Sequence, residues 1–360
     1  MNIEYNVKRN STKAIRVVCT ILFCLFSFCY LFFFQTELMM MAQTVLSGGA
    51  THYVRLNGAL IITAVLWIIQ LGVFYFSKLS KRYYAVTYLP SFLLLTVLTS
   101  VDNNTPGSVG LRHWLWLTPL LLIACFWLVR LLGKMQAFED ATRDTGLLSG
   151  MMWENLMQMS VMMLMVCLIA NGDDTLHRRM KMETYYSRGD YDGVLDVMSR
   201  TTRADAAMTM LCAAALSERR ELPDRLFEFP VVGGGKALKP IGNSRKVVNI
   251  PDSIVTETID RNGSDYLLCQ LLMDRNLPEF IDQLTAHHLI NAELPRYYRE
   301  AVILFNDLYP DYSIKYVDDD YMARYKAFGG IMYQDIPEKK KMFESHRNFS
   351  DTYWWYYYSY

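Results

Sequence analysis

The sequence predicts an all-α protein in which an N-terminal bundle of about five transmembrane helices precedes a C-terminal soluble domain of helical repeats. Two observations predict this fold class. Long apolar runs fill residues 1–170, whereas the rest of the 360-residue chain is charge-rich, with apolar residues at three- and four-residue spacing. The predicted boundaries are a cytoplasmic N-terminus at 1–16, a transmembrane domain at 17–170 and a helical-hairpin domain at 171–360.

The apolar runs are about as long as a bilayer requires. A helix needs about 20 residues to cross a hydrocarbon core about 30 Å thick. The third run is the weakest, because it is short and contains Pro90, which is expected to kink a helix. Buried helices of a soluble core are the alternative, and five such runs in one half of a chain disfavour it. The predicted spans are 17–34, 58–76, 84–100, 111–132 and 147–170.

Lysine and arginine are distributed unevenly among the segments that connect these runs. Three segments are basic: the N-terminus, the second connection and the fourth connection, which together contain Lys8, Arg9, Lys13, Arg16, Lys78, Lys81, Arg82, Lys134 and Arg143. The alternate connections contain only Arg55 and Arg112. The positive-inside rule places the basic segments in the cytoplasm, so an odd number of spans places residues 171–360 outside it. The first run is too long for a cleaved signal peptide and is predicted to be an uncleaved anchor.

The second half is predicted to form paired helices. METYYSRGDYDGVLDVMSR predicts a helix through Tyr186, a turn at Arg188-Gly189-Asp190 and a second helix from Tyr191. The segments ADAAMTMLCAAALSERRELPDRLFEFP, DYLLCQLLMDRNLPEFIDQLTAHHL and LPRYYREAVILFNDLYPD have the same character. The motif YYSRGDYDGVLDVMSR resembles a tetratricopeptide-type repeat, which implies a stacked surface that binds peptides or proteins. A generic helical bundle is the alternative.

A glycine-rich loop at 231–251 interrupts these helices. Its Gly-Gly-Gly-Lys sequence lacks the GxxxxGK[ST] spacing of a phosphate-binding loop, so a connector is favoured. No HExxH, GxSxG or CxxC signature is present, and we predict no catalytic residue, cofactor or metal site. Cys212 and Cys269 are predicted to be buried free thiols rather than a disulfide. With 36 basic and 36 acidic residues, the chain has no charge excess that would indicate nucleic-acid binding.

Three polar residues in or beside the predicted spans are candidate functional positions: Glu37, Glu154 and Gln158. An ionisable group inside a membrane is costly and therefore often functional. Glu154 lies close to the start of the fifth span, where an interfacial or packing role is favoured over an internal polar contact and over ion or proton handling. Glu37 follows the first span, beside apolar residues that suit a helix lying in the outer interface: Leu38, Met39, Met40, Met41, Val45 and Leu46.

The chain ends in DTYWWYYYSY, a block of aromatic residues with apolar rings and polar tips. Such a block favours a membrane interface or a covered position, because an exposed apolar patch promotes aggregation. Its cover is expected to be the last hairpin of its own domain, the membrane or a partner. Trp354 and Trp355 are the candidate membrane-facing or capping residues, and we expect one of them to pack against protein.

Four segments carry a further resemblance: QTVLSGGATHY, TYLPSFLLLTVLTS, LPRYYREAVILF and FSDTYWWYYYSY. Together they are similar to an uncharacterised family of multi-pass inner-membrane proteins of Bacteroidota. This resemblance implies a periplasmic location for the second half and no particular activity.

The function expected from these features is that of a non-enzymatic inner-membrane scaffold, with membrane lipids and an envelope protein as partners. Two alternatives stay open. One is an envelope glycan or lipid enzyme that uses Glu37 together with an acidic residue of the outer domain. The other is an auxiliary transporter subunit that uses Glu154 and Gln158.

Overall fold

The protein is built from helices in the part of the chain that its computed structural model describes, with seventeen α-helices and no β-strand in that part. The described residues are 2–47, 50–51, 53–77, 79, 81–100, 112–135, 150–170, 172–239, 252–291, 293–312, 314–335 and 337–359. The chain divides into two compact units, Met1–Asp173 and Asp174–Tyr360.

The first unit is built from long apolar helices. Helix α1 continues as a π-helical turn at Tyr30–Phe34, and a 3₁₀ helix at Lys81–Tyr88 leads into α4. The α-helices of this unit are α1 (Asn2–Cys29), α2 (Thr36–Ser47), α3 (Arg55–Ser77), α4 (Leu89–Thr99), α5 (Arg112–Met135) and α6 (Gly150–Ile169).

Among the described residues, three segments rather than the predicted five are long and apolar enough to cross a membrane: Lys13–Phe34, Arg55–Ser77 and Gly150–Ile169. The third predicted span is too short to cross a membrane as one α-helix, because its first residues form the 3₁₀ helix and α4 has only 11 residues. Pro90 lies in the first turn of α4, where its missing N–H costs no hydrogen bond, so it starts this helix instead of kinking it. The fourth predicted span corresponds to α5 (Arg112–Met135), in which the apolar segment among the described side chains, Trp116–Leu132, is shorter than these three segments.

Two arginine–aromatic contacts connect α3 to α1 and to the π-helical turn that follows α1. The Arg16 guanidinium of α1 lies 4.4 Å from the ring centre of Phe74, near the end of α3. At the opposite end, Arg55 of α3 lies 4.3 Å from the Phe32 ring and donates a 2.7 Å hydrogen bond to the Phe32 carbonyl. The middle of α1 therefore meets the end of α3, and the π-helical turn after α1 meets the start of α3, so α1 and α3 are antiparallel.

Buried amides connect the 3₁₀ helix to its neighbours. Gln70 of α3 is fully buried and donates through Nε2 to Thr87 Oγ1 at 2.9 Å. Asn155 of α6 is also fully buried. Its Oδ1 accepts from the Ala85 amide, and its Nδ2 donates to the Met151 carbonyl, both at 2.8 Å. These bonds pair Gln70 Nε2 and both polar atoms of the Asn155 amide, groups that are costly to bury alone, and they hold the 3₁₀ helix between α3 and α6.

The second unit consists of shorter helices, and the predicted first hairpin is confirmed. Its α7 ends at Ser187 and its α8 begins at Tyr191. Gly189 supplies the positive φ of the turn (72°), and the Asp190 carboxylate caps α8 by accepting from the Gly193 amide. The helices are α7 (Asp174–Ser187), α8 (Tyr191–Ser199), α9 (Ala206–Glu218), α10 (Leu222–Arg225), α11 (Asp252–Arg261), α12 (Gly263–Met273), α13 (Leu277–His287), α14 (Arg296–Leu308), α15 (Asp319–Met332), α16 (Glu338–Phe349) and α17 (Tyr353–Ser359).

The described part of the predicted loop, 231–239, is packed against the second unit. It forms a 3₁₀ turn at Gly235–Leu238 that contacts α9 and α12. The Gly235 amide donates to Asp274 Oδ1 at 2.7 Å, and a Cβ there would lie 2.4 Å from Gln270 Cγ. The glycine at 235 thus permits close packing against α12. Residues 240–251 of the predicted loop lie outside the described residues.

The C-terminal helix α17 packs against α14 around a buried carboxylate. Glu300 of α14 is fully buried. Its Oε1 accepts from Arg296 Nε at 3.0 Å, and its Oε2 accepts from the Tyr353 amide at 2.7 Å. The Trp354 indole donates to the Glu300 carbonyl at 2.8 Å. One residue of α14 therefore binds the first two residues of α17.

Arg296 extends this network to the residue before the tail. Its Nη2 donates to Asp351 Oδ2 at 2.7 Å, and Arg324 donates to the same carboxylate at 2.9 and 3.1 Å. Burial opposes ionisation of Asp351, but the hydrogen bonds from both arginines outweigh it and lower the Asp351 pKa. At Glu300 burial prevails over the arginine and the Tyr353 amide, and it raises the Glu300 pKa to about 7.

We expect Glu300→Ala to destabilise the second unit much more than Glu300→Gln. Alanine leaves Arg296 and the Tyr353 amide without their buried acceptor, a loss of about 3–5 kcal/mol. Glutamine keeps an acceptor for the amide and removes a charge that burial disfavours, so we expect a loss of about 1 kcal/mol. Resistance of the C-terminal unit to protease in increasing urea, in the detergent-solubilised full chain, measures both. Equal losses would contradict the proposed role of the hydrogen bond to Tyr353.

The pH dependence provides the control for this prediction. The folded-state pKa of Glu300 lies above its ordinary value of 4.5, so between pH 4.5 and about 7 the folded protein retains a proton that the unfolded chain releases. The contribution of Glu300 to stability therefore falls as pH rises through this window. In Glu300→Gln that contribution is absent, so the stability of the wild type relative to this variant should decrease from pH 4.5 to 7.

Candidate functional site

Glu154, one of the predicted polar positions, forms an ion pair in the first unit. Arg82 donates through Nε to Glu154 Oε2 at 2.7 Å and through Nη2 to Oε1 at 3.0 Å. The side chains of Arg82 and Glu154 are 43% and 41% exposed. The pair connects the 3₁₀ helix to the first turns of α6, close to the Asn155 bonds. The carboxylate that the sequence singled out is therefore held by a two-point contact with an arginine.

A groove of about 550 Å³ extends from this pair along α6. The ion pair lies at one end, and apolar side chains that include Val86, Leu128 and Val161 line the rest. Gln158, the second predicted position on α6, also lines this groove. Its Oε1 is buried and has no hydrogen-bond partner among the residues that the structure describes. We call this cavity the lateral groove.

Glu37 lies apart from this pair, in the first turn of α2, and is half-buried. The helix predicted at this place is present as Thr36–Ser47. Its apolar residues Leu38 and Met41 are buried in the first unit, so part of the face expected to lie in the membrane interface packs against protein. The predicted break at Gly48-Gly49 lies outside the described residues.

The two tail tryptophans occupy different environments in the second unit. Trp354 is fully buried, and its ring centre lies 5.1 Å from that of Tyr325. Trp355 is half-buried and lies edge-on to His346, at 5.3 Å between ring centres. Among the covers expected for the tail, its own domain covers Trp354.

A second cavity of about 490 Å³, which the sequence patterns above do not predict, lies between α14 and α15. Tyrosines form much of its wall, so we call it the tyrosine groove. Its lining residues are Ile303, Asn306, Asp307, Tyr316, Met322, Tyr325, Lys326, Gly329, Gly330 and Tyr333. The sequence does contain a signal for it. Tyr321, Tyr325, Gly329 and Tyr333 recur every four residues, and this spacing places aromatic rings and a gap along one face of α15.

The polar groups of the tyrosine groove are largely engaged with one another. The Tyr325 hydroxyl donates to Asp307 Oδ2 at 2.7 Å, and the Tyr316 hydroxyl donates to Asp318 at 3.1 Å. Asn306 accepts from the Ile314 amide and donates to its carbonyl. Burial and the bond to Asp318 raise the pKa of Tyr316 to about 12, and burial raises the pKa of Tyr325. Both phenols are therefore neutral at pH 7, and the groove presents aromatic surface with paired polar groups.

Two cysteines of the second unit and the possible metal ligands were candidates for chemistry. Cys212 and Cys269 are fully buried free thiols, and burial raises the pKa of each above its ordinary value. Thiols in this state are poor nucleophiles. No group of three or more His, Cys, Asp or Glu side chains arranged to hold a metal occurs within the described ranges.

We expect that exchanging the charges of Arg82 and Glu154 restores the stability that either single substitution removes. Arg82→Glu and Glu154→Arg should each lower the free energy of unfolding of the solubilised protein by about 1 kcal/mol, because both side chains are partly exposed to solvent. The double variant should recover most of this loss, as a double-mutant cycle of thermal or denaturant unfolding measures. Additive losses would show that the two charges do not interact.

Comparison with known proteins identifies a family without an assigned activity. The model described as "Family of unknown function (DUF6057)" matches residues 108–251 and 243–360. No curated protein and no solved structure matches the chain. The resemblance to an uncharacterised family is confirmed to this extent. Because the matched segments extend over more than half of its length, the chain belongs to the family DUF6057.

Proposed function

We propose that this protein is a non-enzymatic scaffold of a bacterial inner membrane, with a periplasmic C-terminal unit that recruits an envelope protein. Support for the membrane location comes from the three candidate spans and from the apolar outer surfaces of α3, α5 and α6. Bacteroidota are the proposed source, on the sequence resemblance alone.

The arrangement of the first unit supports the proposed orientation. The positive-inside rule assigns the starts of the first and fifth predicted spans and the second connection to one side. In the folded unit Arg16 lies beside Phe74, and Arg82 pairs with Glu154, so these segments meet at common ends. Three candidate spans and five predicted spans are both odd numbers, so either count is consistent with the proposed periplasmic location of the second half.

The tyrosine groove is the observation that carries the proposed scaffold role. Tyrosine contributes large contact area at a low cost in side-chain entropy and is enriched at interface hot spots. Exposed acidic residues flank the groove in the chain, namely Asp307, Asp311, Asp319 and Asp320. We therefore assign the groove to a partner segment with an apolar or aromatic anchor next to basic residues. The tetratricopeptide-like hairpins, as we interpret α7–α9 and α12–α14, would support this surface.

Topology is tested by reporter fusions. An alkaline phosphatase fused after Asp174 should be active, because this enzyme matures only outside the cytoplasm, and one fused after Arg82 should be inactive. The measurement is phosphatase activity normalised to the amount of fusion protein. The opposite pattern would place the second unit in the cytoplasm.

Partner binding is tested by filling the tyrosine groove. A Cβ at Gly330 meets no other atom within 4 Å, so Gly330→Gln should extend into the groove without disturbing α15. Gly263→Gln is the matched control, because a Cβ at Gly263 is equally unobstructed and this glycine does not line the groove. We expect a photo-crosslinker at Tyr333 to capture one envelope protein in the wild type and in Gly263→Gln, and to lose this product in Gly330→Gln.

The position of the crosslinker has its own control. Leu289 is 83% exposed and Tyr333 is 82% exposed, but Leu289 does not line the groove. A crosslinker at Leu289 should not capture the same protein. If the product formed equally from both positions, or if Gly330→Gln retained it, the groove would not be the docking surface. If neither position gave a reproducible product, the scaffold role would be wrong.

A further inference from the structure

The lateral groove has a polar end and an apolar remainder. Glu154, Gln158, Val161 and Met162 recur at three- and four-residue spacing, so they share one face of α6. Eight residues separate the first from the last of them, which corresponds to about 12 Å along the helix. The groove therefore changes from charged to apolar along its length, as a lipid changes from headgroup to acyl chain.

The charged end combines one cation and one anion at close range. Arg82 and Glu154 are in direct contact, and each side chain is partly exposed. Their two charges cancel, so the pair by itself has no excess of attraction for a simple anion. A ligand that fits it carries an anionic and a cationic group side by side. A guanidinium binds phosphate oxygens well, and a carboxylate accepts from an ammonium.

Gln158 adds a hydrogen-bond acceptor to the same wall. Its Oε1 is buried and finds no donor in the described part of the chain. Burying an acceptor without a donor costs free energy, so an unpaired group of this kind calls for a physical explanation. A primary ammonium has three N–H donors, enough for the Glu154 carboxylate and Gln158 together. A quaternary ammonium has none.

We propose that the lateral groove binds one lipid with a phosphoethanolamine headgroup, whose phosphate contacts Arg82, whose ammonium contacts Glu154 and Gln158, and whose acyl chain lies along Val86, Leu128 and Val161. This proposal rests on the membrane location proposed above. It adds a specific ligand class to the general expectation of lipid contact. The predicted position of Arg82 and Glu154 at the cytoplasmic end of their helices places the headgroup at the inner leaflet.

The test is lipid retention by the full-length protein, purified in mild detergent and measured by native mass spectrometry. Phosphatidylethanolamine, phosphatidylcholine and phosphatidylglycerol with identical acyl chains are titrated separately. We expect one phosphatidylethanolamine to bind about tenfold more tightly than either other lipid, because the other two lack the ammonium N–H donors. Equal binding of the three lipids, or a preference for phosphatidylglycerol, would overturn the proposal.

Two variants separate the headgroup contact from the acyl contact. Gln158→Met keeps the side-chain volume and removes the acceptor, so it should reduce the preference for phosphatidylethanolamine several-fold. Val161→Trp should obstruct the apolar part and weaken retention of the bound lipid. Leu164→Trp is its matched control, because Val161 and Leu164 are 50% and 57% exposed on the same helix and only Val161 lines the groove. Unchanged retention in Gln158→Met and Val161→Trp would overturn the assignment of the site.

Membrane location is read out separately, by resistance of the protein to alkaline carbonate extraction. A protein that is released by carbonate contradicts the proposed function and this lipid site together. A protein that resists extraction but binds the three lipids equally contradicts the lipid site alone.

Discussion

The buried carboxylate of Glu300 is the interaction on which the second unit depends. It lies on α14, the helix that also contacts α10, α13 and α15, and it binds the first backbone amide of α17. Removing a carboxylate from water is expensive, and the cost is reduced only when its oxygens have donors. Arg296 and the Tyr353 amide supply those donors, so docking of α17 on α14 reduces the cost of burying Glu300. The aromatic tail is in this sense part of the core.

In the first unit, too, buried polar side chains need hydrogen-bond partners, here those of Gln70 and Asn155. In a bilayer the hydrophobic effect does not favour contact between apolar helices, and polar side chains provide specific contacts. Gln70 and Asn155 bond to the 3₁₀ helix at 81–88 from two sides, and Arg82 bonds back to α6. A segment too short to span a membrane is thereby fixed in place by side-chain hydrogen bonds, in the location that we propose for this unit.

The two grooves share a feature that fits the binding roles we propose for them. Glu154 is paired with Arg82, and Asp307 accepts from the Tyr325 hydroxyl. Each groove offers apolar surface beside paired charges. This is the composition expected of a surface that holds a lipid or a protein segment.

The sequence by itself determined the helical class, the change of character near residue 170 and the turn at 188–190, and it marked Glu154 as a polar position in an apolar segment, because periodicity, glycine and charge are local properties. It also marked Trp354 as a residue that requires cover. Tertiary structure alone decided that Pro90 begins a helix, that Arg82 is the partner of Glu154 and that Glu300 binds the tail. The residues of these pairs lie 72 and 53 positions apart, and sequence patterns carry no information about which distant donor meets which acceptor. The sequence predicts only one wall of the tyrosine groove, because the four-residue spacing of tyrosines on α15 is a local pattern. The opposite wall is formed by α14, which only the tertiary structure brings next to α15.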